Sequence, residues 1–212
     1  MILESAGDVK IVGEASNGHE AVKKAQELRP TVVLLDVAMP LLSGAETARQ
    51  ILHRQPATRI LVLTTYSEPE VVRDLVGAGV SGFLTKDVAS EQLLTAVREV
   101  ARGQSFFSPA ISRLLLDHTR QALSGGKQPA PPVYLTSREA EVLQLVAEGH
   151  PNKQIADILN ISIKTVEKHR QSVMSKLDIH ETASLTRYAV AKRIVQCEIL
   201  PEVNSPDEQR AS

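Results

Sequence analysis

Thr31-Val32-Val33-Leu34-Leu35-Asp36-Val37-Ala38-Met39-Pro40 sets an unbroken apolar run before one carboxylate and a proline-bearing loop. Val32 to Leu35 is continuous rather than alternating, the pattern of a strand covered on both faces. Ile60-Leu61-Val62-Leu63, inside the run Arg59 to Thr64, reads the same way, and Lys10 to Glu14 and Gly82 to Thr85 are two further β-rich runs. Helical patterns lie between and after them, at 17–28, 44–55, 68–78 and 90–103. Their apolar residues recur every three or four positions, as in Ala21, Val22, Ala25 and Leu28, or Leu93, Leu94, Val97, Val100 and Ala101. This βα rhythm with right-handed crossovers predicts an open three-layer α/β domain around a parallel sheet.

The 212 residues allow one large domain or two small ones, each able to bury a core. With 42% hydrophobic and 23% charged residues, wholesale disorder, a collagen-like repeat and a disulfide scaffold are excluded. Cys197 is the only cysteine, so no internal disulfide forms, and the most apolar stretch is interrupted by Asp36 and Pro40, too short to cross a bilayer. The first residues lack the basic, apolar and small-residue succession of a secretory signal. The expectation is a soluble protein of the reducing cytoplasm.

After Gly103 a short helix is expected over 108–123, then Ser124-Gly125-Gly126-Lys127-Gln128-Pro129-Ala130-Pro131-Pro132, a linker by composition. From 133 onward only helices are read: Ser137 to Glu148, Asn152 to Leu159, Ile163 to Leu177 and Glu181 to Ile194. The expected division is 1–104 for the α/β domain, 105–132 for helix and linker, 133–198 for the helical domain and 199–212 for a polar tail.

Polar residues end three of the strands: Asp36, Thr64 and Lys86. Ligands of open α/β sheets bind beyond the carboxyl ends of their strands. A carboxylate nucleophile, a hydroxyl donor and an ammonium counter-charge on one rim are what phosphoryl transfer onto aspartate requires.

The short helices at 152–159 and 163–177 read as a helix-turn-helix. At 100° per residue Ile163, Val166, Val173, Met174 and Leu177 share an inward sector, while Lys164, Glu167, Lys168, Gln171 and Ser175 lie opposite. The net charge of −1 conceals a local excess of +3 over Ser162 to Lys176, from Lys164, Lys168, Arg170 and Lys176 against Glu167. Lys168 and Gln171 can donate to base edges, Glu167 can accept from cytosine, and Lys164, Thr165, Arg170 and Lys176 suit phosphates. Arg170 falls in the inward sector, so its stem has to snorkel out past Val166 and Val173.

Leu135-Thr136-Ser137-Arg138-Glu139-Ala140-Glu141-Val142-Leu143, Gly149, Asn152-Lys153-Gln154-Ile155-Ala156, Leu159, Ile161-Ser162, Thr165-Val166-Glu167-Lys168-His169-Arg170 and Lys176-Leu177 resemble the LuxR-type DNA-binding domain. The resemblance implies an all-α four-helix domain with its helix-turn-helix over Asn152 to Gln171. Its third helix would enter the major groove of double-stranded DNA, His169 would touch backbone or order that helix, and the last helix would form a homodimer contact.

Leu34-Leu35-Asp36-Val37-Ala38-Met39-Pro40, Gly44, Leu63-Thr64, Gly79 and Gly82-Phe83-Leu84-Thr85-Lys86 resemble the receiver domain of two-component response regulators. The whole chain is thus similar to NarL/FixJ-type response regulators, which implies a flavodoxin-like doubly wound parallel sheet for the first domain. By the same resemblance Asp36 accepts phosphate from a sensor histidine kinase, Thr64 and Lys86 stabilise the phosphoryl group, and Phe83 is the aromatic switch. Ala38 and Tyr66 would flank the attacking water, and neither is a base at neutral pH, so self-dephosphorylation is expected to be slow.

The sequence departs from that pattern at its start. The family's first strand and the acidic pair at its end, which hold Mg²⁺ with the acceptor aspartate, have no counterpart here; Asp36 and the Ala38 carbonyl alone make a thin cation site. The missing strand would lie between Lys10 to Glu14 and Thr31 to Asp36, leaving unpaired backbone unless the neighbours close up. The expectation is a native start upstream of Met1, the alternative a phosphorylation-independent LuxR-type transcription factor with a degenerate receiver. A haloacid-dehalogenase-like phosphatase would want an acid where Ala38 stands, which argues against an enzyme. A protein-interaction adaptor without DNA binding is the remaining reading.

Overall fold

The computed structural model describes residues 3, 6–65, 68–87, 90–123, 133 and 135–195. The expected linker at 124–132, Tyr66, Cys197 and the polar tail lie outside them.

Among the described residues four parallel strands, β1 (Val32–Leu35), β2 (Arg59–Thr64), β3 (Gly82–Thr85) and β4 (Phe106–Phe107), lie side by side in chain order. The register pairs Leu35 with Val62, Thr64 with Thr85 and Phe83 with Phe107. Five helices accompany them: α1 (Gly18–Leu28), α2 (Gly44–Arg54), α3 (Pro69–Gly77), α4 (Ser90–Ala101) and α5 (Pro109–Leu123). Their starts follow from local chemistry. The Asn17 side chain accepts from the Glu20 amide at 2.9 Å, Ser43 caps α2, and Pro69 opens α3 where its missing N–H costs nothing.

Strand alternation splits the core in two. Leu35, Ile60, Val62 and Phe83 pack with Val22 and Ala25 of α1, Ala48 and Ile51 of α2, Val72 and Leu75 of α3 and Ile111 of α5. Leu61 and Leu84 pack with Ala96, Val97 and Val100 of α4. The predicted parallel α/β layering is therefore present.

Three details differ from expectation. Lys10 to Glu14 forms no strand, because among the described residues no neighbouring strand supplies partners for its backbone. The residues just before it are drawn over α4, where Arg98 grips Asp8 through two hydrogen bonds of 2.8 and 2.9 Å and Val9 packs against the core that α4 shares with Leu61 and Leu84. β1 is consequently an edge of the sheet formed by the described residues, and Leu34, expected to be covered, is 38% exposed, α4 being the one helix among the described residues that packs on that face. Finally, the Phe106-Phe107 pair adds a fourth strand, and Ile111, Leu114 and Leu115 of α5 pack on the first core, so the expected boundary at residue 104 falls inside this arrangement.

The second unit is all-α: α6 (Ser137–Ala147), α7 (Asn152–Leu159), α8 (Ile163–Leu177) and α9 (Thr182–Ala191). Val142, Leu145 and Val146 of α6 share a core with Ile155 and Leu159 of α7, Val166 and Val173 of α8 and Leu185 and Ala189 of α9. Ile163, predicted to point inward, is 45% exposed: it is the first residue of α8 and overhangs the core.

One buried carboxylate ties this unit together. Thr136 and Glu139 form a reciprocal capping box at the start of α6. Ser172 Oγ and Lys176 Nζ of α8 each donate to Glu139 at 2.6 Å. Burial pushes the Glu139 carboxyl up, but donation from Lys176, Ser172 and Thr136 outweighs it and holds the group at about 2. A carboxyl depressed on folding stabilises above its unfolded range and loses that contribution as pH falls through its folded value. The melting temperature should therefore drop as pH falls from about 4.5 towards 2. Glu139→Gln should lower stability at neutral pH by about 1 to 3 kcal/mol and flatten that acid limb; thermal melts across this range check both.

Candidate functional site

The sheet register sets Asp36, Thr64 and Lys86 at the carboxyl ends of three adjacent strands. Asp36 follows β1, Thr64 closes β2, and Lys86 follows β3, its backbone N–H donating to the Thr64 carbonyl at 2.8 Å. Lys86 Nζ lies 2.5 Å from Asp36 Oδ2. About a third of the Asp36 side chain is open to solvent, whereas Thr64 is fully buried. The rim thus brings a solvent-reachable carboxylate, an ammonium group and a buried hydroxyl residue to one edge of the sheet, and Thr64 is held in a fixed setting.

The loop after Asp36 is tightly built. The Ala38 amide donates to Asp36 Oδ1 at 3.4 Å, and the Gly44 amide to the Val37 carbonyl at 2.9 Å. A Cβ at Gly44 would come within 2.5 Å of the Asp36 carbonyl oxygen, so only glycine lets α2 start this close to the acceptor strand. Between them the Leu42 amide bonds to the Pro40 carbonyl at 2.8 Å, turning the chain through Leu41 at φ 67°. This is a γ-turn, with a non-glycine residue at positive φ.

Phe83 is fully buried, flanked in register by Val62 and Phe107. Tyr66, expected beside the attacking water, is outside the described residues. As a Mg²⁺ site the residues do not suffice. One carboxylate, already bonded to Lys86, and the Ala38 carbonyl fall short of the several oxygens a hard cation takes. Among the described residues no group of three or more His, Cys, Asp or Glu side chains is placed to hold a metal.

In the helical unit, α7 ends at Asn160 in the left-handed region (φ 51°), and Ser162 caps α8 by accepting from the Thr165 amide at 3.1 Å. This is the helix-turn-helix read from the sequence. Val166 and Val173 are buried beneath α8, and Lys164, Glu167, Lys168, Gln171 and Ser175 are exposed on its outer side, as helical spacing predicts. Thr165 and His169 lie half-buried on the flanks, the Thr165 hydroxyl 2.8 Å from that of Ser162. Arg170 does not snorkel to open solvent. Its guanidinium donates to Asn152 Oδ1 at 3.1 Å and to Thr182 Oγ1, joining the starts of α7 and α9. Lys176 is engaged with Glu139.

A polar stripe that the sequence reading did not single out lies on α6. Glu141, Gln144 and Glu148 recur at spacings of three and four, the sign of a single face, and the first two are 4% and 1% exposed. The first unit supplies their partners. Gln50 Nε2 donates to Glu141 Oε1 at 2.8 Å, Gln144 Nε2 to the Met39 carbonyl at 3.0 Å, and the Leu41 amide to Glu148 Oε1 at 3.0 Å. At the far end, Lys192 and Arg193 pair with Glu70 and Glu68 beside the start of α3, and the Lys192 hydrogen bond holds the Glu70 carboxyl below its usual range.

Comparison with known proteins agrees with this architecture. Residues 1–98 match the response regulator receiver domain, and residues 133–189 match the bacterial regulatory proteins of the luxR family. The response regulator protein VraR of Staphylococcus aureus is 32% identical over 194 residues, 92% of this chain and 90% of that protein. Among solved structures, RcsB of Salmonella enterica serovar Typhimurium, bound to promoter rprA in the presence of phosphomimetic BeF3⁻, aligns with a TM-score of 0.51 at 27% identity, covering 88% of each chain. A structure of two RcsB dimers bound to two parallel DNAs gives a TM-score of 0.51 at 28% identity over 90% of this chain and 89% of that one. With a parallel-sheet domain matched to the receiver model and a helix-turn-helix domain matched to the luxR model, the chain belongs to the NarL/FixJ-type response regulators, transcription regulators that join a receiver to a LuxR-type DNA-binding domain.

Proposed function

We propose that Asp36 takes a phosphoryl group from the phosphohistidine of a sensor kinase and that the outer face of α8 reads double-stranded DNA, the chain acting in the cytoplasm as a homodimer on its site. The observation that carries the first half is the Asp36–Lys86 pair at 2.5 Å beside Thr64. In the transfer an Asp36 carboxylate oxygen forms the new bond to phosphorus, the phosphorus–nitrogen bond breaks, and the imidazole leaves with the electron pair. Lys86 meets the charge on the transferred oxygens, and the Thr64 hydroxyl donates to one of them. Phe83, one strand from Phe107 and so from α5, is positioned to carry a change at the rim across the sheet.

The second half rests on the exposed set Lys164, Glu167, Lys168 and Gln171 over a buried Val166–Val173 seam. Lys168 and Gln171 read base edges, Glu167 accepts from cytosine, and Lys164 and Thr165 hold phosphates, with His169 at the flank. Arg170 and Lys176 join the backbone contacts only by sharing or exchanging their present partners, Asn152, Thr182 and Glu139.

Two measurements test these readings. Incubation with a small phosphodonor and intact-mass detection should show one added phosphate that is absent in Asp36→Ala; equal uptake by the variant refutes the assignment. With a duplex selected from a random pool and its scrambled counterpart, fluorescence anisotropy should show Lys168→Ala losing about 1 to 3 kcal/mol on the selected site alone. Lys164→Ala should weaken both duplexes alike and lower the salt dependence of binding. Equal losses on both duplexes for both variants would remove the division between base and phosphate contacts.

A further inference from the structure

Besides the side-chain pairs Gln50–Glu141, Lys192–Glu70 and Arg193–Glu68, the two domains meet at main-chain atoms of one short loop, the one that begins at Asp36. Gln144 Nε2 bridges the Met39 carbonyl at 3.0 Å and Glu148 Oε1 at 2.8 Å, while Glu148 Oε1 also accepts the Leu41 amide at 3.0 Å. The side-chain pair therefore presents one donor and one acceptor to the γ-turn, a fit to its backbone shape rather than to its side chains. Leu41, held at φ 67°, inserts its side chain against the core of the DNA-binding domain. Buried to 1%, the Gln144 amide finds in Met39 its partner across the domain boundary.

With α6 docked on this loop, Lys164, Glu167, Lys168 and Gln171 are exposed. The receiver does not cover the recognition helix here; what docking fixes is the placement of the whole helical domain. Uncovering of α8 is thus not what this contact can control.

We infer that Gln144 and Glu148 are the positioning residues through which the DNA-binding domain senses the backbone shape of the Asp36 loop. The inference rests on Asp36 as phosphoacceptor. In the docked arrangement Asp36 Oδ1 holds the Ala38 amide and Oδ2 holds Lys86. A phosphoryl group on Asp36 takes over these donors, pulls the loop at Ala38, and displaces the Met39 carbonyl and Leu41 amide from a pair of side chains that tolerate only this turn. The helical domain is then released to reorient towards a second copy while its recognition surface stays as it was.

Hydrogen exchange on the full chain tests this, with Gln144→Met as the variant that keeps the volume and removes the donor. The variant should exchange the amides of Leu41 and Leu42 roughly tenfold faster than the parent, the factor expected for one lost hydrogen bond. Its duplex binding should persist, which shows that the domain is folded. The phosphorylated parent should show the same faster exchange, and phosphorylation should add nothing further in the variant. Unchanged exchange in Gln144→Met overturns the contact as a sensor, and unchanged exchange in a parent carrying phosphate by mass overturns the coupling. Failure to take up phosphate counts against Asp36 as acceptor and leaves the variant comparison to decide the sensor by itself.

Discussion

Parallel pairing of β2 between β1 and β3 is the interaction on which the rest of this molecule hangs. Ile60, Leu61 and Val62 are fully buried, covered from both sides, and their register aligns the ends of three strands. Asp36, Thr64 and Lys86 need no fold of their own to converge, since each is simply the next or last residue of a strand whose position the sheet dictates. The Gly44 contact extends the same constraint, letting α2 begin against the Asp36 backbone.

The second domain is organised around α6, which is covered on more than one side. Val142, Leu145 and Val146 serve the helical core, Glu139 receives Ser172 and Lys176 of α8, and Glu141, Gln144 and Glu148 meet the receiver. A buried polar group has to be paired or it destabilises the fold by roughly 1 to 3 kcal/mol. Three such groups on one helix, Glu139, Glu141 and Gln144, therefore restrict α6 to a narrow set of placements relative to both neighbours.

Much of this was legible beforehand. Val32 to Leu35 and Ile60 to Leu63 declared themselves by unbroken apolar character, α7 and α8 by helical spacing bounded at Asn160 and Ser162, and Asp36, Thr64 and Lys86 by their places at strand ends. What escaped the reading escaped for physical reasons. Phe106-Phe107 is too short to show a period, and becomes a strand only because β3 has a free edge. Lys10 to Glu14 has strand-like composition but no partner, and composition cannot supply one. Arg170 was placed by angle alone, which says nothing of Asn152 and Thr182 waiting at its tip. The stripe of Glu141, Gln144 and Glu148 was visible as spacing, yet a polar stripe ordinarily means solvent, and only the docked receiver makes it an interface.

That interface has a consequence for how such proteins can diversify. On the receiver side, two of its hydrogen bonds use the Met39 carbonyl and the Leu41 amide, atoms that every residue except proline offers alike. Substitution along the loop can leave these two bonds in place provided the turn keeps its shape, Leu41 excepted, whose side chain packs on the helical core. Matched side chains are needed instead at Gln50 and Glu141, at Lys192 and Glu70 and at Arg193 and Glu68, so a tight turn supplies one part of the fit and a few charged or polar pairs carry what is particular to this pairing of domains.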